Sequence, residues 1–244
     1  MESNIFKSYV IGLDKASDRF KKFQINNSHL NADFYKGIDG SKISKKESIN
    51  LGLISKNSNT HLTNGAIGCA LSHKHLWDQI AKEDKGTLIM EDDVITHPKI
   101  VNFINNNYYE MMKFDITLFS INTDSVLESI SPEGVHSATL YKERHPTIKF
   151  IKETLLKTNL AEVRIHKLLT SFGHAAYFVS PKGAKLLSSL IYPFKNKPIN
   201  IPLVNNKYIP GTQDGEANRY YSSIKAIVCC PFLAYTPNID STTK

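Results

Sequence analysis

Cysteine is scarce in this chain. Cys69, Cys229 and Cys230, among 244 residues, supply neither a disulfide framework nor a structural zinc spacing. Cys229 and Cys230 sit in the apolar run Ala226–Phe232, where thiols pack as small hydrophobes. Long apolar runs are absent too, and none approaches the ~18 residues that a membrane span requires. The opening Met1-Glu2-Ser3-Asn4 lacks a basic and then apolar leader, which predicts a cytoplasmic protein. No zinc finger and no aromatic-basic RNA signature occurs, which argues against nucleic acid as a partner. No repeat or linker divides the sequence, so residues 1–244 are expected to form a single domain.

What is present is a core and a positive charge. Hydrophobic residues make up 41% of the chain and the net charge is +7, with a pI near 9.1. Basic clusters occur at Lys21 and Lys22, at Lys42, Lys45 and Lys46, and at Lys142 and Arg144. Such a surface favours anionic partners: nucleotide phosphates, an anionic membrane face or, by charge alone, nucleic acid.

Periodicity predicts strands over 9–13, 34–38, 88–90, 114–119, 175–180 and around Val228, and helices over 14–26, 65–82 and 184–190. Either Ser17 or Asp14 can cap the first helix, and Pro181 suits the entry of the helix at 184. Residues 41–63 read as a polar excursion and 193–211 as a Pro- and Asn-rich loop. Residues 148–169 read as one basic helix, part of a lid or acceptor-side excursion over 122–170. A last helical stretch is expected over 214–221. Strands alternating with helices predict an α/β fold with a mainly parallel central sheet and flanking helices.

The chemistry concentrates where Leu88-Ile89-Met90 meets Glu91-Asp92-Asp93. Three acids at the end of a buried strand repel one another and lose hydration, so they shift pKa or need a cation. A hard divalent ion carrying a phosphate ligand meets that need; a solvated turn is the other reading. Upstream, Gly68-Cys69-Ala70-Leu71-Ser72-His73 opens a helix. Gly68 permits close backbone approach to a ligand, and Ser72 and His73 can serve phosphate or sugar hydroxyls, unless the segment only packs helix on sheet. Leu13 ends the first strand and Arg19 follows one to two turns later. A guanidinium there can bind pyrophosphate bidentately or pair with an acid. His174 begins a strand and can be a metal ligand, a hydroxyl partner or a structural group.

Gly65-Ala-Ile-Gly-Cys-Ala-Leu-Ser-His73 followed by Leu88-Ile-Met-Glu-Asp-Asp-Val94 resembles the core of glycosyltransferase family 25, the lipopolysaccharide-type transferases. Val10-Ile-Gly-Leu-Asp14 with Asp18-Arg19, Gly37-Ile38-Asp39-Gly40 and Tyr177-Phe-Val-Ser-Pro-Lys-Gly-Ala184 extend the resemblance from residue 9 to about 237. It implies a GT-A-like fold and inverting transfer of galactose or glucose from a UDP-sugar to a cell-surface glycan or glycolipid, and the basic charge favours an anionic glycolipid at the inner membrane face. It also implies Mn²⁺ or Mg²⁺ on Asp93, with Glu91 on the ribose or in the metal shell and Asp92 beside them. Family members often carry Pro-x-Asp where this chain has Pro198-Ile199-Asn200, and asparagine cannot take a proton. Asp214 is then the first candidate for the base and Glu216 the second. The same departure leaves room for a non-catalytic sugar-nucleotide or glycan-binding module on a transferase-like fold.

Overall fold

Alternation along the buried strands builds a layer with helices on both sides. The computed structural model describes residues 5–56 and 62–237. The chain opens with β1 (Lys7–Gly12) and α1 (Asp18–Asn26), then β2 (Asp33–Lys36), α2 (Lys45–Asn50) and α3 (Asn64–Ile80). The middle of the chain holds β3 (Thr87–Glu91), β4 (Ile95–Thr96), α4 (Ile100–Met111) and β5 (Ile116–Leu118). It continues through β6 (Val126–Ile130), β7 (His136–Leu140), α5 (Ile148–Lys157), β8 (Arg164–Thr170) and β9 (Ala176–Val179). The last part holds α6 (Pro181–Ile191), β10 (Ile199–Ile201), β11 (Asn206–Tyr208), α7 (Gln213–Ala217), β12 (Ala226–Cys230) and β13 (Ala234–Tyr235).

One sheet carries nine strands in the order β2-β1-β3-β9-β5-β12-β8-β6-β7. The pairings make β2, β1, β3, β5, β12 and β6 run one way, with β9, β8 and β7 against them. The α/β class therefore stands, and the sheet mixes both kinds of pairing. β1 pairs with β2 on one side and β3 on the other, so the chain reverses its direction of travel across the sheet there. The crevice outside the carboxyl ends of strands at such a point is where open α/β sheets bind ligands.

Each buried strand feeds both faces. Ile89, Tyr177 and Val179 pack with Leu71, Trp77 and Ile80 of α3 and Leu187 of α6. Leu88, Met90 and Phe178 point the other way, to Phe20 and Phe23 of α1 and Ile104 and Met111 of α4. Trp77 is fully buried, and truncating such a side chain to alanine costs about 3–5 kcal/mol.

Several elements differ from the expectation. The 148–169 helix stops at Lys157, and 164–170 is the strand β8. Ile165, Leu168 and Leu169 fit helical spacing, but pairing with β12 and β6 decides for the sheet. Residues 122–170 thus contribute β6, β7 and β8 to its far side. The polar excursion contains α2, whose capping box joins Ser44 and Glu47; residues 57–61 of it lie outside the described residues. The 193–211 loop contains the β10–β11 hairpin, turned by Asn205 at φ 47°, a left-handed conformation that asparagine tolerates. Ser17, not Asp14, caps α1, accepting from Phe20 N at 3.1 Å. Among the described residues no helix is long and apolar enough to cross a membrane.

Candidate functional site

The carboxyl ends of β1 and β3, the first turns of α3 and the start of α7 enclose a cleft of about 540 Å³. Its lining includes Leu13, Arg19, Gly68, Ser72, His73, Glu91, Asp92, Asp93, His174 and Asp214. Residues as far apart in sequence as Leu13 and Asp214 are thus brought to one place.

β3 ends on Glu91, and Asp92 and Asp93 form the turn after it. Asn27, buried at the end of α1, anchors the chain beyond that turn. Its amide donates to Val94 O at 2.9 Å and accepts from Thr96 N at 2.8 Å. Arg19 reaches across from α1. Its Nε and Nη2 lie 3.0 and 2.7 Å from Asp92 Oδ1, and Nη2 lies 3.4 Å from Asp93 Oδ2. In this structure the guanidinium is thus spent on the acids, the second of the two readings its position allowed.

One guanidinium does not neutralise three carboxyls. Burial, then the charge of Asp214, pushes Glu91 up to about 7, against the pull of Arg19. Burial, then Glu91, pushes Asp93 up to about 6, again opposed by Arg19. Asp93 Oδ1 is buried without a hydrogen-bond partner. With raised, mutually repelling carboxyls and an unpartnered oxygen, Glu91 and Asp93 have the chemistry that fits the oxygen set of a hard divalent ion.

His174 does not fit that set. Its Nε2 lies 2.5 Å from the Tyr221 hydroxyl and its Nδ1 lies 3.0 Å from Gln213 Nε2. Both ring nitrogens are engaged, leaving no lone pair for a metal; this corrects the metal-ligand reading. Burial holds His174 down at about 4, so it is a neutral structural ring at neutral pH. Its partners lie 39 and 47 residues away, and no local pattern announces them.

Gly68 and Ser72 also act differently from the expectation. A Cβ on Gly68 would lie 2.4 Å from Ile38 O and 2.8 Å from Gly40 N. The close approach is to the 38–40 loop, not to a ligand. Ser72 Oγ accepts from Ile38 N at 2.8 Å and donates to Gly68 O at 2.6 Å. Its hydroxyl is used in binding that loop to α3 instead of a phosphate or sugar. His73 is fully buried and Nδ1 lies 2.7 Å from the Tyr177 hydroxyl, which accepts from Trp77 Nε1 at 2.8 Å. Its Nε2 faces Glu91 Oε1 at 3.7 Å. Burial lowers His73 to about 4, so the ring is neutral.

Asp214 enters from α7. Thr212 caps that helix through Gly215 N at 3.2 Å, which releases Asp214 from the capping role its position suggests. Its Oδ2 accepts from Gly173 N at 2.6 Å, and Gly173 holds φ +90°, a conformation suited to glycine. Glu216 lies outside the cleft lining and is fully buried. It accepts from Arg219 Nε at 2.7 Å and Lys195 N at 3.2 Å, so it clamps a loop and cannot meet a substrate; the second base candidate is corrected. Asn200 lies exposed on β10, also outside the lining.

Cys69, Gln213, Asn122 and Thr236 also line the cleft, and none of the four is given a role by the sequence. Of these, only Cys69 sits in a legible motif, four residues before His73.

The profile of glycosyltransferase family 25, described as an LPS biosynthesis protein, matches residues 5–203. A candidate glycosyltransferase, R655, of Acanthamoeba polyphaga mimivirus is 35% identical over 106 residues, covering 41% of this chain and 31% of the relative. A procollagen lysyl hydroxylase and glycosyltransferase of the same virus is 30% identical over 37% of this chain and 12% of its own length. A glycosyltransferase 25 family member of Aedes aegypti is 28% identical over 37% of this chain and 16% of its own length. The matches thus span less than a third of each relative. The family profile, by contrast, covers most of the chain, including the acid turn and the first turns of α3: the chain belongs to glycosyltransferase family 25.

Proposed function

We propose that this cleft moves a hexose, galactose or glucose, from a UDP-sugar to a cell-surface glycan or glycolipid by metal-dependent, inverting transfer on a single GT-A-like domain. One observation carries the reading. Glu91 and Asp93, both driven up by burial, share a cleft with Asp214 at the carboxyl ends of β1 and β3. Arg19 is one guanidinium against three acids there, and the cation that accompanies a nucleotide diphosphate would supply the balance.

Glu91 and Asp93 would hold Mn²⁺ or Mg²⁺, which when bound neutralises the charge developing on the departing UDP. Arg19 pins Asp92 and keeps the acid turn in one geometry. Leu13, at the end of β1, walls the nucleotide side of the cleft. Asp214 serves as the base: the Gly173 N–H fixes Oδ2, and the other oxygen is directed to the acceptor hydroxyl, whose proton it takes as the new bond forms. His73 and His174, neutral near pH 7, add no charge to that wall. The sheet extension over 122–170 is the acceptor side in this reading. The basic surface favours anionic glycolipid in the cytoplasm, at the inner membrane face.

The test is release of UDP from a panel of UDP-sugars with Mn²⁺, with and without EDTA, for wild type and Asp93→Asn. Turnover that vanishes with EDTA and in the variant supports the reading. Turnover indifferent to both removes the metal from it. UDP–Mn²⁺ binding without turnover on any donor or acceptor would identify a binding module instead.

A further inference from the structure

Cys69 and His73 stand four residues apart on α3, and so on one face of it. Glu91 meets them from the end of β3. The ligand atoms of the three lie within 4.8 Å of one another, and His73 Nε2 is already 3.7 Å from Glu91 Oε1. A tetrahedral zinc site places its donors roughly 3.3–3.7 Å apart, so modest rotamer adjustment closes the set. His73 Nε2 is buried and has no hydrogen-bond partner. All three residues line the cleft, which gives an ion its entry path.

We propose that Cys69, His73 and Glu91 form a second metal site, softer than the Glu91–Asp93 oxygen set, that takes Zn²⁺ and excludes the harder ion through the shared Glu91. Donor chemistry separates the two: thiolate with imidazole selects zinc, whereas an all-oxygen set suits Mg²⁺ and Mn²⁺. The second shell is in place. With Nδ1–H donating to the Tyr177 hydroxyl, itself held by Trp77, the Nε2 lone pair turns to the site, the usual arrangement of a metal-bound histidine. The neutral ring needs no deprotonation. As the Zn–S bond forms, the Cys69 thiol proton leaves to solvent. Three protein donors leave a fourth position open to the cleft.

Binding stands apart from the functional reading, and only the antagonism with the donor-side ion rests on it. Co²⁺ is the probe, added to the full chain. The expected result is one intense tetrahedral spectrum with a thiolate-to-cobalt charge-transfer band, bleached by one equivalent of Zn²⁺. Cys69→Ser should abolish the band and weaken Zn²⁺ at least tenfold, while Asp93→Asn should keep it. His73→Gln should convert the spectrum to a weaker one of higher coordination, judged only if circular dichroism shows a folded chain. A wild-type spectrum without charge transfer, or one unchanged in Cys69→Ser, overturns the proposal. In a turnover assay Zn²⁺ should inhibit and excess Mn²⁺ should relieve it. If no donor turns over but the cobalt band forms, the functional reading fails and the zinc site survives. A band that Mn²⁺ cannot displace overturns the shared-ligand claim.

Discussion

Arg19 meets Asp92 with two nitrogens on one oxygen, Nε at 3.0 Å and Nη2 at 2.7 Å, and reaches Asp93 at 3.4 Å. It is the positive charge that restrains Glu91 and Asp93 from rising further. Arg19→Ala should therefore raise both, leaving fewer ionised carboxylates at neutral pH. Mn²⁺ affinity should fall roughly tenfold for each pKa unit gained. The loss should be larger at mildly acidic than at mildly alkaline pH. Mn²⁺ titration by electron paramagnetic resonance across that range checks it; a pH-independent loss would mean that Arg19 acts only by holding the fold.

Glu91 makes a prediction about stability. Its folded value of about 7 exceeds that of an ordinary carboxyl. Between those values the folded chain holds a proton that the unfolded chain has lost, so stability falls as pH rises through the window. His73 and His174, held at about 4, work in the opposite direction and cost stability as pH falls below the ordinary imidazole value. Glu91→Gln should remove the Glu91 share of the first slope, leaving the part that comes from Asp93, which burial also raises, to about 6, and the opposite slope of the histidines. In EDTA, the melting temperature of the variant relative to wild type should rise between about pH 5 and pH 8. The gain should be about 2–4 °C or less, since the cleft admits water.

Asp214→Asn tests the base directly. An asparagine oxygen still accepts from Gly173 N, so the loop should stay in place. The rate of transfer should fall about 10²–10⁴-fold, while calorimetry finds UDP–Mn²⁺ binding within a few-fold of wild type. Equal losses in binding and rate would mean that Asp214 shapes the donor pocket and takes no proton.

How far the sequence discloses this site depends on how local each cause is. The acid triplet is legible because the apolar run and the charges adjoin, and burial of β3 follows from Leu88-Ile89-Met90 alone. The two glycine- and serine-based roles are not, because Ser72 meets Ile38 and Gly68 meets Gly40 only after α3 crosses the loop following β2. Glu216 reads as an acid beside Asp214, yet a short helix turns the two to opposite sides. β8 reads as helix because its apolar spacing suits both structures, and only its neighbours in the sheet choose. The Ser44-x-x-Glu47 capping box is the converse case, a local signal for α2 that the polar composition around it conceals.

Gly68→Ala sets a local preference against a tertiary contact. Alanine favours a helix interior over glycine by ~1 kcal/mol, so the helix alone predicts a more stable protein. The structure predicts the reverse. The added Cβ would lie 2.4 Å from Ile38 O and 2.8 Å from Gly40 N, both backbone atoms that no rotamer change can move. Relieving the clash pushes the loop off α3 and stretches the Ser72 bridge to Ile38 N, 2.8 Å long. Overpacking of this kind costs about 1–3 kcal/mol, and a weakened buried hydrogen bond adds to it. The net expectation is a loss of a few kcal/mol, read as a melting temperature lowered by several degrees. A melting temperature at or above wild type would show that the 38–40 loop yields freely, and that Gly68 is there for a ligand after all.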